Sequence, residues 1–461
     1  MDRKPNIYCI GMLDTKFEEI KFVAKCVKEA GGNPVFFNMA LGHDVDWADV
    51  SLAEILASNG TDMKKVFASP RSAAIEMVGK AGAVKIMQDY EAGKVDGAIS
   101  WAGSIGTSTV CYALRALPHG VPKIMMTNMA SSDVSMWLGN KDIYIMNPTA
   151  EQGINVVTEK MCKNAAAAIV AMAKVGKVEG AKPLMAITAY GTTTPPVNRC
   201  HKYFRARGWD TMTIHQVGSS GATMEDLIRS GDIKAVIDMT TGEITNTLYN
   251  SVYGMPKTWV GKRATAAADT GTPQIMAPGG CDQSAYNAID PDHPESFPYY
   301  EDYQNGKRRP WKDTGLPYIH NAGVSIMFPT DDEIEWLGHY YCEVLKDTKG
   351  PTAFIIPMQG WSAYDQREEI CTRDRGWSEG NGDAPQWQPS DENPAWGRRS
   401  VILRDVMEKE INRDNPNLDF ILADMHIIDV EWSDLCCRIM DDMINGRWKK
   451  GMYRDIPGVI K

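Results

Sequence analysis

The feature that most constrains this chain is a repeated grammar: short apolar runs, each ending in a Gly-, Ser- or Asp-rich loop and followed by a stretch with helical period. Residues 6–12, 33–38, 95–100 and 123–127 are such runs in the first part of the chain, and residues 184–188, 211–215, 235–239, 274–277, 353–357 and 420–423 continue the pattern. Near-continuous apolar runs are strands buried on both faces. Runs separated by helices pair in parallel, with helices covering both sides of the sheet. The expected fold class is α/β: two tandem doubly wound, mostly parallel-sheet (Rossmann-like) domains. An alanine-rich helix over residues 158–175 ends at Gly176, and the polar stretch to Pro183 reads as a linker. The domains are therefore expected over residues 1–180 and 181–461. A chain of 461 residues is too long for a single core, which agrees.

Charge and composition narrow the partners. With 49 basic and 59 acidic residues the formal charge is −10, and no Lys/Arg block is long enough to bind a nucleic-acid backbone. No apolar run approaches the roughly 20 residues of a membrane span, and the Met1-Asp2-Arg3-Lys4 start lacks a signal-peptide pattern. The 10 cysteines are scattered through apolar segments without a CxxC pair, as in a reduced, cytoplasmic protein. Neither nucleic acid nor membrane is expected as a partner; a small-molecule substrate is.

In open parallel sheets ligands bind beyond the carboxyl ends of the strands, so the loops after the apolar runs carry the chemistry. In the first domain the clearest is Gly103-Ser104-Ile105-Gly106-Thr107-Ser108, which opens a helix expected over residues 107–117. Its glycines let an anion approach the backbone, while free N–H groups, the helix dipole and hydroxyls attract it. The loop lacks the Lys of a Walker A motif and the third glycine of a dinucleotide fingerprint. Asp14 in the loop after the first run, and Ser131 and Asp133 in the loop after the fourth, are candidates to complete a nucleotide or anion site. For either acid taken alone, helix capping is the better reading.

In the second domain six loops point chemistry at one rim. His215 ends a run, and Glu225 lies on the following helix; Glu243 follows Thr240-Thr241-Gly242; Cys281 and Asp282 follow Pro278-Gly279-Gly280. His320 precedes residues 324–328, Ser362 and Asp365 follow residues 353–357, and His426 lies beyond the last run. Imidazole and carboxylate suit zinc, manganese or iron, so His215, Asp282, His320 and His426 are the expected ligands of a divalent metal, with Glu225 or Glu243 as base. Any one of these histidines alone is more often a hydrogen-bonded structural residue than a ligand; the case rests on their co-location. Covalent catalysis by Cys281 or Ser362 competes, but neither has a base at fixed spacing. Four of the 13 tryptophans fall between Trp361 and Trp396. Trp361, Tyr364, Trp377, Trp387 and Trp396, interleaved with Arg373, Arg375, Arg398 and Arg399, suggest either a flat-walled substrate pocket or a packed loop.

Ile10-Gly11-Met12-Leu13-Asp14-Thr15-Lys16, Gly103-Ser104-Ile105-Gly106-Thr107, Met129-Ala130-Ser131-Ser132-Asp133-Val134 and residues 357–365, together with residues 218–225 and 278–282, His320-Asn321 and His426, resemble the plant tobamovirus-resistance ATP-binding domain family, whose bacterial members are grouped as an uncharacterised family. The resemblance implies a tandem α/β architecture, ATP or another nucleotide near Gly103 to Thr107, and a homodimer or higher homo-oligomer. It departs from the family at Cys281, where a small aliphatic residue is usual, and in the longer Trp-rich segment. Bacterial members often accompany enzymes that cleave carbonyl compounds. The expected function is thus a metal-assisted hydrolase of a carbonyl compound, with ring opening of a cyclic β-dicarbonyl as one case. The alternatives are an ATP-binding regulatory or inhibitory protein and an ATP-using ligase or kinase, the latter weakened by the missing phosphate lysine.

Overall fold

The computed structural model describes residues 3–176, 180–255, 259, 261–310, 315–367 and 387–460. It divides into two units, Met1–Ala181 and Lys182–Lys461, each an α/β body with a mostly parallel sheet.

Unit 1 holds strands β1 (Asn6–Gly11), β2 (Asn33–Asn38), β3 (Gly97–Ala102), β4 (Lys123–Thr127) and β5 (Tyr144–Met146) in the order β2-β1-β3-β4-β5, all paired in parallel. Period-two alternation divides their side chains between two cores. Ile7 and Cys9 of β1 and Ile99 and Trp101 of β3 pack against helices Phe17–Glu29 and Val156–Val175. Tyr8, Ile10, Ala98 and Ala102 face helices Arg71–Glu91 and Ser104–Ala116 on the other side. Both faces are thus dry, as a parallel sheet requires. Helix Val156–Val175 is started by Asn155, whose side chain accepts from the N–H groups of Val157 and Thr158; such a cap contributes about 1 kcal/mol.

Unit 2 contains β6 (Leu184–Ala189), β7 (Asp210–His215), β8 (Ile233–Thr240), β9 (Gln274–Gly279), β10 (Ser284–Asn287), β11 (Tyr318–Asn321), β12 (Val324–Met327), β13 (Thr352–Pro357), β14 (Leu418–Ala423) and β15 (Val459–Ile460). Seven form a sheet in the order β15-β14-β13-β9-β8-β6-β7, parallel except for β15. Helices Thr194–Arg205 and Val430–Ile444 cover one face; Asp331–Leu345 and Arg398–Glu410 cover part of the other.

The structure adds what the apolar grammar does not contain. Strands β10, β12 and β11 make a separate antiparallel sheet, so His320 lies within a strand rather than in a loop after a parallel one. The helix after β3 begins at Ser104, not at residue 107; Ser104, Ile105 and Gly106 form its first turn.

Candidate functional site

In unit 1 the chain passes from β1 outward to β2 and then to β3 on the other side of β1. The loops after β1 and β3 leave on opposite faces of the sheet, and a crevice opens between them. A cavity of about 580 Å³ lies there, lined by Asp14, Lys16, Arg71, Gly103, Ser104, Gly106 and Glu151 among others. Helix Ser104–Ala116 begins at Gly103 with no side-chain cap and no acid in its first turn, so its orphan N–H groups and positive dipole end face the cavity beside Glu151. Gly106 has a packing reason as well: a Cβ there would lie 2.7 Å from that of Ala102.

Asp14 does not cap a helix. Its Oδ2 accepts from the Gly42 N–H at 2.9 Å, and its Oδ1 is buried without a hydrogen-bond partner. Thr107 is inaccessible, its hydroxyl bridging the Gly103 carbonyl and the Thr127 hydroxyl, each at 2.8 Å. Ser131 bonds the Asn128 carbonyl and does not line the cavity. Of the residues expected to form this site, Asp14, Gly103, Ser104 and Gly106 converge; Thr107, Ser131 and Asp133, which accepts from the Ser135 N–H, do not.

Unit 2 repeats the device. β7 lies on one side of β6 and β8 on the other, which places the crevice beside the β6 loop. A cavity of about 200 Å³ is lined there by Tyr190 and Thr192 after β6, His215 at the end of β7, Asn246, Tyr253, Gln283, His320 of β11 and Tyr364. Two expected metal ligands, His215 and His320, therefore share one small space. His320 Nδ1 and the Tyr364 hydroxyl are hydrogen-bonded at 2.8 Å. His215 packs edge-on against Tyr190, and desolvation holds its imidazole below the usual value, so the ring is neutral near pH 7. Asn246 braces the wall, donating to the Gly242 carbonyl and the Tyr190 hydroxyl while accepting from Ser251 and the Ala285 N–H. Gln283 donates to Thr192 Oγ1 at 2.8 Å.

The remaining expected site residues lie outside this cavity. His426 is fully buried, one ring nitrogen bonded to the Asp365 carbonyl at 3.0 Å and the other accepting from the Ile428 N–H at 3.1 Å. Neither nitrogen is available to a metal. Asp282 is also buried, accepting from the Ser362 hydroxyl at 2.6 Å, while its Oδ1 has no hydrogen-bond partner. Burial, reinforced by nearby Asp365, pushes its carboxyl up to about 7. Ser362 Oγ also accepts from the Tyr364 N–H, so Asp282 and Ser362 shape the turn that carries Tyr364. Among the described residues no group of three or more His, Cys, Asp or Glu side chains could hold a metal ion, and the four expected ligands do not make one.

Glu225 and Glu243 belong to a buried hub. Arg263, with no exposed surface, donates to Glu225, Glu243, both oxygens of Asp238 and Gln216. Glu225 also accepts from the N–H groups of Ala264, Thr265 and Ala266, anchoring the start of helix Ala266–Thr270. Burial raises both glutamates despite the guanidinium, Glu243 to about 7. Arg229 also pairs with Glu225, at 3.5 Å, and of the three acids Glu243, whose Oε2 lacks a partner, is the natural holder of a proton. Neither acid lines the cavity. Cys281 is buried too, and desolvation pushes its thiol up to about 12, the opposite of an activated nucleophile.

The described residues of the aromatic segment are largely committed to packing, hydrogen bonds and ion pairs. Trp361 is core; the indole N–H groups of Trp387 and Trp396 bond the Gln359 carbonyl and Asp424; Arg398 and Arg399 pair with Asp331 and Asp365. Among the described residues of this set, only Tyr364 lines the cavity. Trp377, Arg373 and Arg375 lie outside the described residues. Sequence reasoning missed Tyr190, Asn246 and Gln283. Tyr190 directly follows a strand and was findable by that rule, whereas Arg71 and Glu151 carry no local signal.

The family described as Uncharacterised protein family (UPF0261) N-terminal domain matches residues 5–177, and its C-terminal domain counterpart matches residues 182–376. A UPF0261 protein of Clostridium tetani is 34% identical over 370 residues, covering 79% of this chain and 86% of the relative. One of Rhizobium meliloti is 33% identical over 362 residues, covering 78% and 85%. The tomato (Solanum lycopersicum) ToMV resistance protein Tm-1 is 26% identical over 387 residues, covering 78% of this chain and 48% of the tomato protein.

Proposed function

The chain belongs to the UPF0261 family, and from that premise we propose that it is a small-molecule enzyme, a hydrolase of a carbonyl compound, working by acid–base chemistry in the unit 2 cavity. The observation that carries this reading is the meeting of His215 with the hydrogen-bonded His320–Tyr364 pair in one cavity beside the β6 loop. His215, held neutral, takes a proton from water as the water oxygen adds to the substrate carbonyl. The His320–Tyr364 pair donates a proton to the leaving group as the bond to the carbonyl carbon breaks, and the proton held by His215 passes back to the pair through water, which resets both groups. Around 200 Å³ is below the usual range for drug-sized ligands, which favours a compact substrate such as a small cyclic dicarbonyl.

The test is a hydrolysis screen on cyclic and acyclic dicarbonyls with the wild type, His320→Ala and Tyr364→Phe, alongside elemental analysis by mass spectrometry. We expect His320→Ala to lose at least about 100-fold in kcat with its melting temperature preserved. Undiminished turnover in that variant would remove the reading. Near-stoichiometric zinc, manganese or iron, with activity lost on chelation, would replace it by metal catalysis.

A second reading is favoured by the unit 1 crevice: its uncapped helix start, Lys16 and Arg71 suit a nucleotide or another phosphorylated anion. Calorimetry with ATP tests it.

A further inference from the structure

Residues 147–155 bring one carboxylate to the seat that an anion would take in the unit 1 crevice. Glu151 lies so close to Gly103 that a Cβ on that glycine would be 2.5 Å from Glu151 Oε1. It thus stands at the start of helix Ser104–Ala116, whose first turn has no side-chain cap. The carboxylate is solvent-exposed and makes no hydrogen bond among the described residues. Its segment is held through the backbone: the Glu151 carbonyl accepts from Lys16 Nζ, and the Gly153 N–H donates to Glu19. The segment also contains Thr149 at φ 59°, in the left-handed region that a β-branched residue rarely adopts.

We propose that Glu151 is the charge gate of this crevice: its carboxylate occupies the anion seat at Gly103, and an anionic ligand binds by displacing it. The proposal rests on the second reading above and adds the residue that sets affinity. Two consequences follow from the contacts. A phosphate entering beside an undisplaced carboxylate meets like-charge repulsion at close range. Once the segment moves, the Lys16 ammonium exchanges the Glu151 carbonyl for the ligand, so one lysine both latches the segment and receives the anion.

The experiment is calorimetric titration of the full chain with inorganic pyrophosphate, chelator present, comparing wild type, Glu151→Gln and Lys16→Met. Glu151→Gln is a surface substitution, and an unchanged melting temperature shows that it folds. We expect about tenfold tighter binding for Glu151→Gln, from the relief of like-charge repulsion, and weaker binding for Lys16→Met. Equal affinities of wild type and Glu151→Gln would overturn the gate while leaving the crevice an anion site. Weaker binding by Glu151→Gln would also overturn it, by making the carboxylate a favourable contact. No binding by any form would overturn both the gate and the anion reading.

Discussion

Gly360 shows how one position holds this site together. It sits at φ +137°, and a Cβ there would lie 1.8 Å from the Asp365 carbonyl oxygen and 2.7 Å from His426 Nε2. That approach lets His426 bond the Asp365 carbonyl and fixes the turn that presents Tyr364. Gly360→Ala should cost about 3 kcal/mol or more, combining backbone strain with overpacking; an unchanged midpoint in urea would show that the turn yields without cost. Cys281 makes the converse case. A thiol pushed up to about 12 and without exposed surface is packing, so Cys281→Ala should keep its turnover within a few-fold while losing stability. Loss of activity in a folded Cys281→Ala would reinstate covalent catalysis. Residue type alone could not separate these roles. His215, His320 and His426 look alike in sequence; only the partners of their ring nitrogens divide two cavity-lining residues from one committed to the fold.

Secondary-structure elements were more legible than residues, because a strand buried on both faces announces itself as an apolar run. β2 and β4 fall at residues 33–38 and 123–127, where the apolar runs place them, and the loops after β1, β3 and β6 and the end of β7 do face cavities. The antiparallel strands β10, β11 and β12 are four residues each, too short to give a periodic signal. They nevertheless deliver His320. Arg71 and Glu151 reach the unit 1 crevice from a helix start and a long loop, by tertiary placement that no local pattern encodes. The crevice itself makes a prediction at this scale. Ser104 is exposed at the first turn, so Ser104→Glu, a second carboxylate beside Glu151, should leave the protein folded while abolishing nucleotide binding. It is a cleaner probe than a side chain at Gly106, which would press on Ala102. Unchanged ATP affinity in folded Ser104→Glu would place any nucleotide elsewhere.

At the scale of the whole molecule, both units use one topological device, a sheet order that reverses beside a strand, and both open a cavity there. Unit 2 adds a buried charge hub with a consequence for pH. Glu243 is raised from 4.5 to about 7, so the folded state binds a proton that the unfolded chain releases. Its contribution to stability is full below the unfolded value and is lost as pH rises through about 7. His201 and His215, both lowered by desolvation, act in the opposite sense, adding stability as pH rises through their unfolded value. The difference between wild type and Glu243→Gln isolates the carboxyl: the melting temperature of the variant relative to wild type should rise between about pH 5 and pH 8. A constant difference would mean that Glu243 is ionised throughout. The central claim is that the unit 2 cavity is catalytic through its imidazole and phenol groups. Its most direct measurement is the kcat of chelator-treated wild type and His320→Ala on a dicarbonyl hydrolysed by the untreated enzyme. The account predicts full activity for the treated wild type and at least about a 100-fold loss for the variant; equal rates in the two would contradict it.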